Sequence, residues 1–155
     1  MTEILEKKLS YKIQGCFMNV SNKYGKGLKE GIYQKALAEE LEITGLKFKQ
    51  QKRINIYSFE TGKILGTYVP DFVVEDKIII EIKAKPITTK GDIEQHRSYL
   101  RISIYEIAYL VNFSTSKLYI KRSIYTNDRK PFIKKLNNEK SMKAFRANSY
   151  KICAN

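Results

Sequence analysis

Lys77-Ile78-Ile79-Ile80-Glu81-Ile82-Lys83-Ala84 is the stretch that decides the fold. A continuous β-branched run of this kind suits a central strand covered on both faces. Just before it, Glu75-Asp76-Lys77 reads as a tight turn, and Ile64 to Val74 reads as an extended segment. That segment is reached from Ile54, Ile56 and Tyr57 through a Glu60-Thr61-Gly62-Lys63 turn, so three strands in a meander are expected. Further upstream, Leu9, Ile13, Cys16, Phe17, Val20 and Tyr24 recur at helical spacing, which predicts a helix over 3–23 ended by Gly25-Lys26-Gly27. A second apolar stripe, Leu28, Ile32, Tyr33, Leu37, Leu41 and Ile43, predicts another helix closed by Gly45. Downstream of Pro86 and Gly91, Asp92 can N-cap a helix to about Ser103. Tyr105–Phe113 and Lys117–Tyr125 then read as two strands joined by a Ser/Thr turn. Residues 130–150 carry Phe132, Ile133, Leu136, Met142 and Phe145 at imperfect spacing, which leaves a helix and a flexible arm both open.

With 155 residues, 43% hydrophobic and 12% aromatic, the chain can bury one core and is not disordered as a whole. We divide it into a domain over 1–126 and a basic extension over 127–155. No apolar run approaches the length that spans a bilayer, and MTEILEKKLS lacks the apolar core of a signal peptide, so a soluble cytoplasmic protein is expected, with no membrane partner. Cys16 and Cys153 have no CxxC spacing, which argues against zinc and against a disulfide framework. Lys and Arg number 29 against 16 Asp and Glu, for a net charge of +13. Residues 117–155 hold 11 basic and 2 acidic residues of that total, which points to a polyanionic partner.

The chemistry gathers at the turn before the central strand. Asp71 ends one strand, and Glu81 and Lys83 project from a single face of the next, with Ile82 buried on the other side. Two carboxylates crowded on an apolar strand repel each other unless a cation joins them, and hard oxygen donors suit Mg²⁺ or Mn²⁺. The plainer alternative is a turn-capping Asp71 and a solvated Glu81–Lys83 pair. Glu30 sits in the first turn of its helix, where the helix dipole alone favours a carboxylate. Gln95 and Tyr99 are four apart and share a helix face. His96, the single histidine, is expected at the surface.

Gly27-Leu28-Lys29-Glu30-Gly31-Ile32-Tyr33 matches the pattern GxxExxY. Ala36–Leu41, Gly45-Leu46, Gln50-Gln51, Gly66-x-Tyr68-x-x-Asp71, Glu81-Ile82-Lys83-Ala84, Gln95-x-x-x-Tyr99-Leu100 and Val111-Asn112-Phe113 follow in order. From about Leu9 to Ile124 the chain resembles the GxxExxY family of the PD-(D/E)XK nuclease superfamily. That resemblance implies an α/β, restriction-endonuclease-like αβββαβ core, a mixed sheet flanked by helices, here with an extra N-terminal helix and a basic C-terminal tail. It implies Asp71 and Glu81 as metal ligands, with Glu30 and the Ile82 backbone beside them, Lys83 as the catalytic lysine, and Gln95 and Tyr99 on the helix that contacts the substrate. Where the family often carries VH…LGPG, this chain reads Val20-Ser21-Asn22-Lys23-Tyr24-Gly25-Lys26-Gly27, so that histidine is absent. The leading expectation is a Mg²⁺- or Mn²⁺-dependent nuclease cutting a phosphodiester with an activated water, on DNA rather than RNA by resemblance. Lys121, Arg122, Lys134 and Lys135 would hold the backbone without reading sequence. A homodimer is compatible with this reading. The competing expectation is an inactive nuclease-fold module that binds nucleic acid or a protein.

Overall fold

β5 (Ile78–Lys83) is the middle strand of a five-stranded sheet, the position its β-branched run demands. The computed structural model describes residues 5–140 and 143. The sheet runs β1 (Phe48–Gln50), β4 (Phe72–Val74), β5, β6 (Ile107–Asn112) and β7 (Tyr119–Ile124). Only the β5–β6 pair is parallel, and α3 (Lys90–Arg101) makes the crossover between them. The mixed sheet flanked by helices is thus present, but two of its first three strands differ from those expected.

The segment Ile64–Val74 is not one strand. β3 (Ile64–Tyr68) pairs only with β2 (Ile54–Tyr57), as a separate two-stranded ribbon, and β4 begins afresh at Phe72. Pro70 lacks an N–H and restricts Val69, so the ladder cannot run through them. The outer place beside β4 goes to β1, a three-residue strand too short to show a period in sequence. The ribbon is therefore an insertion between β1 and β4. The turn before β5 does form as expected: Glu75, Asp76 and Lys77 connect Val74 to its partner Ile78, Glu75 and Asp76 both take φ of 52°, and the Lys77 N–H donates to the Val74 carbonyl at 3.0 Å.

Alternation along β5 divides the interior in two. Ile78, Ile80 and Ile82 face α1 (Lys7–Tyr24) and α2 (Glu30–Ile43), packing with Ile13, Phe17, Leu37 and Leu41. Ile79 faces the other way, with Ile54, Val73, Leu100 and Ala108. Glu81 and Lys83 share the parity of Ile79 and so lie on the α3 side. The α1–α2 corner is tied by Tyr33 of the GxxExxY stretch: its hydroxyl donates to the Gly25 carbonyl at 2.7 Å, and its ring stacks on Phe113 at 4.8 Å. Helix α3 begins two residues before the expected cap. Thr89 is the N-cap and Asp92 is the third residue of a reciprocal capping box, so Asp92 supports the helix start from inside it.

Packing continues past Ile124. Residues 131–140 are helical, and Phe132 is 0% exposed, its ring stacked on Tyr57 at 5.3 Å. Lys130 is buried, its ammonium donating to the Ser103 and Tyr105 carbonyls. Met142, Phe145 and Cys153 lie outside the described residues. Phe132→Ala is expected to cost about 3–5 kcal/mol in urea unfolding, as for other buried aromatics. A loss below about 1 kcal/mol would show that this segment does not close the β2–β3 ribbon.

Candidate active site

The β4–β5 register pairs Phe72 with Ile80, and its continuation by one residue sets Asp71 opposite Glu81. Asp71 is 9% exposed. Its Oδ2 accepts the Ile82 N–H at 2.7 Å, and its Oδ1 accepts Gln34 Nε2 from α2 at 2.9 Å. The Gln51 N–H donates to the Asp71 carbonyl at 3.2 Å, from a backbone with φ of 52°. Three elements therefore converge on this one residue.

Glu81 stands on the α3 side of the sheet. The Tyr68 hydroxyl donates to its Oε1, and the Tyr68 ring stacks on Tyr99 at 4.0 Å with 3° between planes. Tyr68, Glu81, Lys83, Gln95 and Tyr99 line one hollow of about 100 Å³. Burial pushes the Glu81 carboxyl up to about 7, and the nearby Asp71 and Glu30 charges add to the rise. Burial also raises Asp71, against the opposing pull of the Ile82 N–H, the Gln51 side chain and Lys83. Glu30 is raised by burial and by Asp71, with Lys83 and Lys85 acting the other way. Three carboxylates thus sense one another and a shared lysine. Among the described residues, no three Asp, Glu, His or Cys side chains stand close enough to ligate one ion. The donors at Asp71 and Glu81 are carboxylate and amide oxygens, the set preferred by a hard cation, and the His96 ring lines the same hollow.

A model of the PD-(D/E)XK nuclease superfamily matches residues 7–123. The chain belongs to that superfamily. Its mixed sheet is accordingly the restriction-endonuclease-like fold, with the match covering α1 through β7. The crystal structure of an alkaline exonuclease (LHK-Exo) from Laribacter hongkongensis is similar at 14% identity and a TM-score of 0.43, over 98% of this chain and 89% of that one. Likeness of that degree bears on no residue of the site. No curated protein matches the sequence.

In this superfamily member the remaining sequence-expected residues are scattered. Gln95 is exposed at the hollow, and Tyr99 is half-buried against Tyr68. Lys121 is half-buried on β7. Arg122 turns inward, donating to Ser10 Oγ and to the Leu5 carbonyl, so its guanidinium is engaged at the start of α1. Lys134 and Lys135 are exposed, with Lys135 beside Gly62 at the ribbon turn. Sequence reasoning gave no role to Gln34, although it lies four residues after Glu30 on the same helix flank. It also gave none to Tyr68, Gln51 or Lys85.

His96 is not at the surface. It is 5% exposed, and its Nε2 has no hydrogen-bond partner among the described residues. Burial pushes its pKa from 6.5 down to about 4. The unfolded chain then binds the extra proton between those values, so this group's contribution to stability is intact above pH 6.5 and is lost as pH falls toward 4. Wild type is expected to lose about 2 kcal/mol more than His96→Leu between pH 7 and 4.5, measured by urea unfolding at each pH. Parallel curves for the two proteins would contradict this.

Proposed function

We propose that the protein is a divalent-metal-dependent nuclease of the GxxExxY group, acting inside the cell and hydrolysing phosphodiester bonds in DNA. The observation that carries this reading is the Asp71 carboxylate, anchored on the Ile82 N–H at 2.7 Å and opposite Glu81, within the span matched by the nuclease superfamily. Asp71 and Glu81, with the Ile82 carbonyl, would hold Mg²⁺ or Mn²⁺ directly, and the exposed Glu30 would reach the ion through water. Each carboxylate oxygen keeps a lone pair beyond the one hydrogen bond it accepts. Such an ion, when bound, supplies charge for the phosphate in its transition state and lowers the pKa of a water.

The chain's own groups do the rest. Tyr68 fixes the Glu81 carboxylate through its hydroxyl, and Tyr99 fixes Tyr68 by stacking. Gln34 and the Ile82 N–H fix Asp71, so neither ligand has to be ordered when substrate arrives. Lys83 projects into the same hollow as Glu81, where a compact ammonium orients the attacking water and attracts the scissile phosphate. Gln95, exposed on α3, offers an amide to the strand being cut. Lys121, Lys134 and Lys135 add sequence-independent attraction, together with the chain's charge of +13.

Plasmid and oligonucleotide cleavage tests this with wild type, Asp71→Ala, Glu81→Ala and Lys83→Ala. Each substitution is expected to lower the rate about 10²–10⁴-fold. EDTA is expected to abolish cleavage, and Mg²⁺ or Mn²⁺ to restore it. Equal rates in all four proteins, or undiminished cleavage in EDTA, would contradict the proposal. Binding with no product under any metal would instead support the inactive module.

A further inference from the structure

A cavity of about 430 Å³ is lined by a part of α3 that the acidic site does not use. Positions three and four apart share a helix flank. Gln95 and Tyr99 lie along the flank facing Glu81, whereas Arg97, Ser98 and Arg101 lie along another and open onto this second basin. Across the basin stand Ser123 and Tyr125, contributed by β7 and the residue after it, and Arg129 from the 3₁₀ turn Asn127–Arg129. The Arg129 guanidinium sits 4.1 Å from the Tyr125 ring centre, and that of Arg101 sits 5.5 Å from it. Both are held in place by the ring rather than by a carboxylate. None of the three arginines makes an ion pair among the described residues; Glu94 is the one acidic residue at the rim.

A second observation points to a ligand. Ser123 is 7% exposed, and its Oγ has no hydrogen-bond partner among the described residues, although it lines the basin. A buried hydroxyl without a partner costs about 1–3 kcal/mol, which a bound acceptor recovers. Three arginines and a hydroxyl without a partner among the described residues, lining one concave space, suit a phosphate oxyanion in charge and in hydrogen-bonding capacity. The volume lies in the range of small-ligand sites, with room for a sugar beside the phosphate.

We propose that this basin is a second phosphate-binding site, separate from the acidic cluster, which grips a backbone phosphate of a nucleic-acid strand. The choice of a strand over a free phosphate rests on the nuclease reading above; the site itself does not.

Fluorescence anisotropy of a labelled single-stranded oligonucleotide in EDTA, over a range of salt concentrations, tests it without cleavage. Arg97→Ala and Arg129→Gln are each expected to weaken binding about fivefold near 100 mM salt and to lower the salt slope by about 0.7. Ser123→Ala removes a donor but no charge, so it is expected to weaken binding about threefold with the slope unchanged. Arg97 is exposed, so its truncation leaves the core intact. Affinity and slope equal to wild type in all three variants would overturn the proposal. So would NMR shifts of the Arg97 and Arg129 side chains with inorganic phosphate if the same variants bind the oligonucleotide normally, since the site would then take the free ion. Because no divalent metal is present, an inactive protein that loses binding in these variants keeps this inference and loses only the nuclease reading. An active one that binds unchanged does the reverse.

Discussion

A carboxylate removed from water must find donors, and at Asp71 the search for donors organises one end of the molecule. Its two oxygens reach the Ile82 N–H on β5 and the Gln34 amide on α2, while its carbonyl accepts from Gln51 just past β1. Leaving such a charge uncompensated costs several kcal/mol, so these contacts act as constraints on where α2, β1 and β5 can end. The apolar alternation of β5 does the opposite job. It packs Ile78, Ile80 and Ile82 against the helical pair and leaves Glu81 and Lys83 on the face toward α3. Polar anchoring and apolar burial thus meet within six residues of one strand.

The resulting site is electrostatically crowded while the chain around it is cationic. Burial and mutual repulsion raise Glu30, Asp71 and Glu81 together, a local destabilisation that the surrounding core sustains. The opposite sign dominates elsewhere, in a chain of net charge +13. Acidic groups gathered at a sheet end within a basic molecule fit the proposed reaction, in which a polyanion would be drawn in and a bound cation would offset the concentrated negative charge. On the proposals made above, the arginine basin on another flank of α3 would extend the same division of labour, with attraction at the flanks and chemistry at the sheet end.

Much of this was legible in the chain because the decisive signals were local. The Ile78–Lys83 run, the Glu75-Asp76 turn and the two opening helices have strong periods or special turn residues, and each forms close to where it was expected. The failures were non-local. β1 has three residues and is held in place by pairing with β4, information that no window around Phe48 contains. The ribbon of β2 and β3 reads like part of the main sheet until Pro70 is weighed as a break. His96 looked like a solvated residue because its burial depends on α3 packing against β6, and Arg122 looked free because its partners are over 100 positions away. At the site, Asp71, Glu81 and Lys83 carry charge on strands and so stand out, whereas Gln34 and Tyr68 act through shape and hydrogen bonding and do not.

The most direct test of the central claim is the anomalous scattering of Mn²⁺ soaked into crystals of the wild-type protein. The expected result is a peak about 2.1–2.2 Å from a carboxylate oxygen of Asp71 and from one of Glu81, absent in Asp71→Ala crystals. A well-occupied Mn²⁺ bound elsewhere, with these two carboxylates still holding only Ile82, Gln34 and Tyr68, would contradict it.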